Sequence, residues 1–306
     1  VQNRFSPTVK ACTDKKVLGR FMQLEIKTFA VLGAGIMGAG IAQTAAKAGF
    51  NVIMRDIADN FVSNGLNTIR KNLDRDVQKN RLSAEEADAI FGRVRGTVDM
   101  DILAEADFVV EAVIEKMDLK KIVFSELEKI CPPSTFFASN TSGLSITQMA
   151  SVTKRPEKFI GMHFFNPVPV MKLVEVTRGA DTAEDTVKLT FELAEKMGKQ
   201  PIMVNEAPLF VVNRILIPMI NEAIFVLSEG VASAEDIDKG MVLGANHPIG
   251  PLALADLIGL DTTLLIQDSL FEETQDSKYR ACPLLRKMVR AGHLGRKSGK
   301  GFYNYK

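Results

Sequence analysis

The sequence is poor in the residues that build disulfide scaffolds and metal centres. Only three of its 306 residues are cysteine, Cys12, Cys131 and Cys282. Their wide spacing gives neither a disulfide ladder nor a C-x-x-C ligand pair, so a reducing compartment and no metal are expected. No charge of one sign dominates either. With 38 basic and 37 acidic side chains the formal charge is +1, which excludes the concentrated basic footprint of a nucleic-acid binder. There is no internal repeat and no low-complexity tract. The longest apolar stretch, residues 209–227, is broken by Asn213, Arg214, Asn221 and Glu222, too many polar groups for a membrane span. What remains is a cytoplasmic globular chain with 46% hydrophobic residues, enough to fill the cores of two domains at roughly 100–200 residues each.

The first 26 residues stand apart. Residues 1–27 carry six basic and two acidic side chains without helical or strand periodicity, and no apolar stretch marks a secretory signal. A basic transit-like segment, which would place the protein in the mitochondrial matrix instead, is weakened by Asp14 and Glu25. Val1 in place of an initiating Met leaves processing or truncation open. No function is assigned to this extension.

From Lys27 the pattern is regular. A short apolar run at 28–32 ends in glycines, an Ala-rich helical segment continues to Lys47, and residues 51–54 read as a second strand. Strand, glycine turn, helix and strand make a βαβ unit with parallel strands and a right-handed crossover. Helical stretches at 59–78 and 83–91 form a hairpin before a strand near Val94. Residues 108–113 form a continuous apolar run, as expected of a parallel strand buried on both faces. Strands at 135–138, 159–162, 173–177 and 201–204 and helices at 118–130 and 182–197 complete an α/β, Rossmann-type doubly wound, mainly parallel sheet over 27–206. Beyond Glu206 the pattern is helical. Pro208 is placed in the first turn of a helix reaching Glu229, with a kink expected at Pro218, and Ser233 with Asp236 resembles a capping box. Further helices at 251–258, 262–274 and 283–291 make residues 207–306 an all-helical domain.

Gly33, Gly35 and Gly38 form G-x-G-x-x-G with Ala34, Ile36 and Met37 between them. The string follows a strand, opens a helix, and has Asp56 at the end of the second strand, 18 positions beyond Gly38. In that setting it is a dinucleotide fingerprint. Gly33 makes the tight turn, Gly35 admits the pyrophosphate and Gly38 lets helix and strand pack closely. Helix N–H groups then hold the phosphates. Asp56 would bind the ribose hydroxyls and repel a 2′-phosphate, favouring NAD over NADP, with Arg55 as a counter-argument.

Only three histidines can serve as acid/base groups: His163, His247 and His293. The last two lie in turn-like or basic surroundings and read as structural. His163 ends a strand at the ligand-bearing edge of the sheet. Glu175, 12 residues on and beyond a turn at 166–169, sits in the next apolar run, where a carboxylate needs a partner. A strand–turn–strand path can bring the two together, fixing the imidazole tautomer and raising its basicity. The segment Ser139, Asn140, Thr141 and Ser142 reaches the same edge, either toward a ligand or as a helix cap. Asn213, polar within a very apolar helix, meets either a ligand or another buried group.

Taken together, 33–43, 110–113, 139–142, 163–167 with 171–175, 212–214 and 299–303 resemble the 3-hydroxyacyl-CoA dehydrogenases, most of all the compact bacterial 3-hydroxybutyryl-CoA enzymes of butyrate metabolism. The likeness runs from Lys27 to the end of the chain. It implies NAD-dependent interconversion of (S)-3-hydroxyacyl-CoA and 3-oxoacyl-CoA. Carried over by motif, His163 is the acid/base and Glu175 its partner, Ser142 binds the reacting oxygen, and Asn213 supports that pocket. Gly33, Gly35, Ile36, Met37, Gly38, Asp56, Glu115, Lys120 and Asn140 would contact the cofactor, with Asn166 and Lys297 as auxiliary contacts. Arg70 and Lys71 could meet the anionic coenzyme A, or simply form a solvated helix face. The sequence departs from the family pattern at Gly143, where a second serine is frequent, and at Leu209, where glycine is frequent. A non-catalytic, crystallin-like protein of the same fold is the alternative. A lysine-based hydroxyacid dehydrogenase lacks its expected lysine segment here. The apolar face of 209–227 exceeds what one neighbour covers, so a homodimer through the helical domain is expected.

Overall fold

A computed structural model describes residues 26–305; the N-terminal extension expected at 1–26 lies almost wholly outside them, as does Cys12. Eight strands form one sheet: β1 (Thr28–Leu32), β2 (Asn51–Arg55), β3 (Val94–Thr97), β4 (Phe108–Glu111), β5 (Phe136–Ser139), β6 (Phe159–Phe164), β7 (Leu173–Arg178) and β8 (Gln200–Asn205). Their order is β3-β2-β1-β4-β5-β6-β7-β8, and every pairing is parallel except β6 with β7. The strand order reverses between β1 and β4, opening a crevice at the carboxyl ends of the strands, where open α/β sheets bind ligands.

The apolar runs explain the layers. Along β1, Phe29 and Val31 join the core on one face, while Ala30 and Leu32 join the core on the other. Phe50, Phe29, Phe108 and Phe136 pack in succession across one face, with ring centroids 5.8, 5.4 and 6.3 Å apart, the first pair tilted and the other two stacked. Each fully buried ring contributes about 1.5–3 kcal/mol relative to exposure. The sheet is flanked by α1 (Ile36–Lys47), α2 (Asp59–Gln78), α3 (Ala84–Gly92), α4 (Met117–Ile130), α5 (Ile146–Ala150) and α6 (Glu184–Lys196). Helix α3 starts at a complete capping box between Ser83 and Glu86.

Helices α7 (Val212–Ser228), α8 (Ala234–Gly244), α9 (Pro251–Ile258), α10 (Leu260–Thr274) and α11 (Pro283–Arg290) follow, sharing a separate core around Ile220, Ile224, Leu252, Leu260 and Leu285. The structure corrects the start of the first of them. Pro208 does not open α7, because Leu209 and Phe210 adopt positive φ angles of 61° and 58° and form a turn before Val212. Helix α7 continues through Pro218. Buried acids lock this helical part. Asp238 accepts from the N–H groups of Leu252 and Ala253 at the start of α9, and Asp256 accepts from Phe302 and Tyr303 N–H in the C-terminal segment. No helix among the described residues is long and apolar enough to cross a membrane.

Candidate active site

β6 is apolar apart from His163, and its antiparallel register with β7 sets His163 directly opposite Glu175. Directly opposed residues share one face of the sheet, so the two side chains meet. His163 Nδ1 lies 2.7 Å from Glu175 Oε2, with the imidazole 5% exposed and the carboxylate fully buried. The second oxygen, Oε1, accepts the N–H groups of Val211 at 3.0 Å and Val212 at 2.9 Å. Glu175 therefore caps the N-terminus of α7, where unpaired N–H groups and the helix dipole favour negative charge. Burial pushes the Glu175 carboxyl up, but the His163 hydrogen bond, the two backbone donors and the imidazole charge outweigh it and hold it below the usual carboxylate range. With Nδ1 occupied, Nε2 is the ring nitrogen available for proton exchange. The rings of Phe165 and Phe210 flank the imidazole at 4.5 and 5.9 Å.

The loop after β5 is held by a network that the sequence reading did not assemble. Glu111, fully buried at the end of β4, accepts from Lys120 Nζ at 2.6 Å, Ser139 Oγ at 2.6 Å and Val113 N–H at 2.7 Å. Lys120 is 1% exposed and reaches Glu115 Oε2 at 3.1 Å as well. Glu115 Oε1 in turn accepts from Thr141 Oγ1 at 2.6 Å and Ser142 N–H at 2.7 Å. Two residues expected to touch the cofactor thus form, in this structure, a relay that positions Ser142. The signal for Glu111 is a carboxylate within an apolar strand, as at Glu175. Asn140 Oδ1 accepts from Phe164 N–H at 2.8 Å, tying the ends of β5 and β6 together. From the helical side, Asn213 Nδ2 lies 3.5 Å from the Ser142 carbonyl oxygen.

The glycine turn fits a dinucleotide. Gly33 has φ +101°, and a Cβ on Gly38 would lie 1.8 Å from the Gly33 carbonyl oxygen, so close helix–strand packing forbids any side chain there. A Cβ on Gly35 would meet nothing within 4 Å; the space beside the N-terminus of α1 is open. That terminus has no side-chain cap and no acidic residue in its first turn, and Ile36 is largely exposed on it. Unpaired N–H groups facing open space suit a pyrophosphate. Asp56 is oriented at the tip of β2 by Ala34 N–H on Oδ2 (2.6 Å) and Ile57 N–H on Oδ1 (2.7 Å). Each carboxylate oxygen retains acceptor capacity for a ribose hydroxyl. Arg55 directs Nε to the Val98 carbonyl oxygen at 3.2 Å.

The remaining residues are placed differently. Asn166 is exposed just past β6. Lys297 pairs with Asp261 of α10 at 2.6 Å, within the helical part. Arg70 pairs with Asp88 at 2.7 Å and lies over the Phe91 ring, joining α2 to α3, whereas Lys71 is exposed. His247 and His293 sit in the turns after α8 and α11. Another residue that sequence reasoning passed over is Lys199. Its buried Nζ donates to the carbonyls of Val168 and Met171 in the loop after β6, and burial together with the charges of Lys172 and Lys47 pushes its ammonium down to about 8.

Known proteins share the sequence pattern and fold of this chain. Residues 28–207 match the family model of the 3-hydroxyacyl-CoA dehydrogenase NAD binding domain, and residues 210–305 match that of the C-terminal domain. The 3-hydroxybutyryl-CoA dehydrogenase of Bradyrhizobium diazoefficiens is 49% identical, over 93% of this chain and 97% of the relative. The mitochondrial hydroxyacyl-coenzyme A dehydrogenase of Sus scrofa is 37% identical over 100% of this chain and 98% of its own. The crystal structure of (S)-3-hydroxybutyryl-CoA dehydrogenase from Ralstonia eutropha superposes with a TM-score of 0.90 at 50% identity, over 92% of this chain and 100% of that one. A nucleotide crevice at the strand reversal, followed by a helical unit and matched along its length by these relatives, makes this chain an NAD-binding oxidoreductase of the 3-hydroxyacyl-CoA dehydrogenase family.

Proposed function

We propose that this protein interconverts (S)-3-hydroxybutyryl-CoA and acetoacetyl-CoA, with His163 as the acid/base and Glu175 as its buried partner. The observation that carries the proposal is the 2.7 Å contact between His163 Nδ1 and Glu175 Oε2 at the carboxyl edge of the sheet. In oxidation, His163 Nε2 takes the proton of the 3-hydroxyl; in reduction it returns that proton to the oxygen. Bound NAD supplies the acceptor for the hydride that leaves carbon 3. Glu175 stays ionised and stabilises the imidazolium, its other oxygen being held by Val211 and Val212. The Ser142 hydroxyl donates a hydrogen bond where charge develops on the oxygen, and no covalent step requires it as a nucleophile. Asn213 steadies the Ser142 loop from the helical side.

The cofactor contacts proposed are the backbone at Gly33, Gly35, Ile36, Met37 and Gly38, the carboxylate of Asp56, and the loops carrying Glu115, Asn140 and Asn166. Lys120 and Lys297 serve through the ion pairs that orient Glu115 and Asp261. Exposed Lys71 on α2 is the cation proposed to meet anionic coenzyme A, since the neighbouring Arg70 is committed to Asp88. The working division is a nucleotide unit at 27–206 and a helical unit at 207–306 that also forms a homodimer. Ile215 on α7 and Leu265 on α10, 65% and 68% exposed, support a second copy as cover for this part.

The direct test is NADH oxidation by the purified protein with acetoacetyl-CoA, followed by absorbance. Turnover is expected with NADH and markedly less with NADPH. Protein that binds NADH yet leaves acetoacetyl-CoA untouched would remove the proposal.

A further inference from the structure

We propose that the contact between Gly143 and Leu209 is a steric key that sets the Glu175–His163 pair against the Ser142 loop; it rests on the acid/base reading above. Leu209 and Phe210 are successive residues in the left-handed region, at φ 61° and 58°, which side chains with a Cβ disfavour. Both side chains are buried, at 6% and 4% exposure. Leu209 fills the space that a side chain on Gly143 would take. A Cβ built on Gly143 would lie 2.6 Å from Leu209 Cδ2, 3.1 Å from its Cα and 3.2 Å from its N. The backbone of Gly143 is not in the left-handed region, so glycine is required there for space and not for conformation. The two positions are therefore exchanged in character: the turn that suits glycine holds leucine, and the ordinary backbone opposite holds glycine.

This contact lies where the two halves of the site meet. On one side, the turn carries the chain from Glu206, whose carboxylate accepts from Thr147 N–H at 3.0 Å and from the Ser145 and Thr147 hydroxyls, into α7. The next two residues place their N–H groups on Glu175 Oε1, and the Phe210 ring lies against His163. On the other side, Gly143 adjoins Ser142, whose N–H is held by Glu115. A shift of the turn away from Gly143 would move the clamp on Glu175 and the Ser142 loop relative to each other. Leu209 and Gly143 act here as positioning residues, through the groups they hold.

The test is a double-substitution cycle on the full chain with acetoacetyl-CoA and NADH. Gly143→Ala is expected to lower kcat at least about tenfold with NADH affinity within about threefold of the parent, because sub-ångström misplacement of reacting groups is costly to rate. Combining it with Leu209→Gly, which removes the 2.6 Å contact with Cδ2 and leaves a freer turn to give way by a few tenths of an ångström at the two backbone contacts, is expected to restore kcat to within about threefold. A merely structural role would lower the melting temperature and leave kcat per folded molecule unchanged. Folded Gly143→Ala protein with parental kcat, or a double variant as impaired as Gly143→Ala, would overturn the proposal. If Gly143→Ala does not fold, the comparison is Leu209→Ala with Gly143→Ala/Leu209→Ala: equal kcat supports the key, and a double variant that is slower than Leu209→Ala or still fails to fold overturns it. An inert parent protein defeats the functional reading and this proposal together, whereas an active parent with an unaffected Gly143→Ala defeats this proposal alone.

Discussion

A carboxylate with no exposed surface, such as Glu175, must be compensated on both oxygens, and its three donors are His163 Nδ1 and the N–H groups of Val211 and Val212. Its carboxyl titrates below its ordinary value of 4.5, so the folded state holds this proton less tightly than the unfolded chain does. The stabilisation is complete above the unfolded value and is lost as pH falls through the folded one. Urea midpoints measured from pH 7 down to 3 are expected to fall more steeply for the parent than for Glu175→Gln. Equal slopes would show that Glu175 is not the group responsible. On the same pair, His163→Gln is expected to lower turnover by about 10²–10⁴-fold while NADH affinity persists. Steady-state rates with fluorescence titration of NADH separate the two quantities. A parental rate would place the acid/base elsewhere.

At the scale of elements, the β1–α1 turn separates glycines that the packing requires from Gly35, which is proposed to serve a ligand. A methyl on Gly38 would strike the carbonyl oxygen of Gly33, which is backbone and cannot step aside. Gly38→Ala is expected to cost about 1–3 kcal/mol of stability and to weaken NADH together with the fold. A methyl on Gly35 meets no protein atom, so Gly35→Ala should leave stability within about 0.5 kcal/mol while still weakening NADH at least about tenfold. Denaturant melts paired with NADH titrations check both. Equal destabilisation by the two substitutions would show that the space beside Gly35 is not reserved for a ligand.

For the whole molecule, the sheet and the helices α7–α11 have separate cores, and hydrogen bonds that join them lie at the candidate site, through Val211, Val212 and Asn213. A helical unit with its own core and apolar side chains at Ile215 and Leu265 is the surface on which the proposed homodimer rests. Light scattering at micromolar concentration is expected to give the mass of two chains. A single-chain mass would remove the dimer, and Ile215→Asp is the variant expected to produce it.

Local patterning was sufficient for much of this protein. Helix periodicity set α2 at Asp59–Gln78 and α9 at Pro251–Ile258, and apolar runs set the strands, because these elements are specified by which residues must leave water. The glycine fingerprint and the 12-residue path from His163 to Glu175 were legible for the same reason: short-range geometry is written in short-range spacing. The start of α7 was not, since nothing in leucine or phenylalanine favours a left-handed backbone, and what accompanies it at Leu209 and Phe210 is tertiary: packing against Gly143 and His163 and the hold of Glu175 on the next two N–H groups. Nor could spacing assemble Glu111, Lys120, Glu115 and Ser142. Glu111, Lys120 and Glu115 pair within the segment from β4 to α4, but the bond from Ser142 to Glu115 joins the loops after β4 and β5, and the order of strands in the sheet, a tertiary fact, decides that those loops are neighbours.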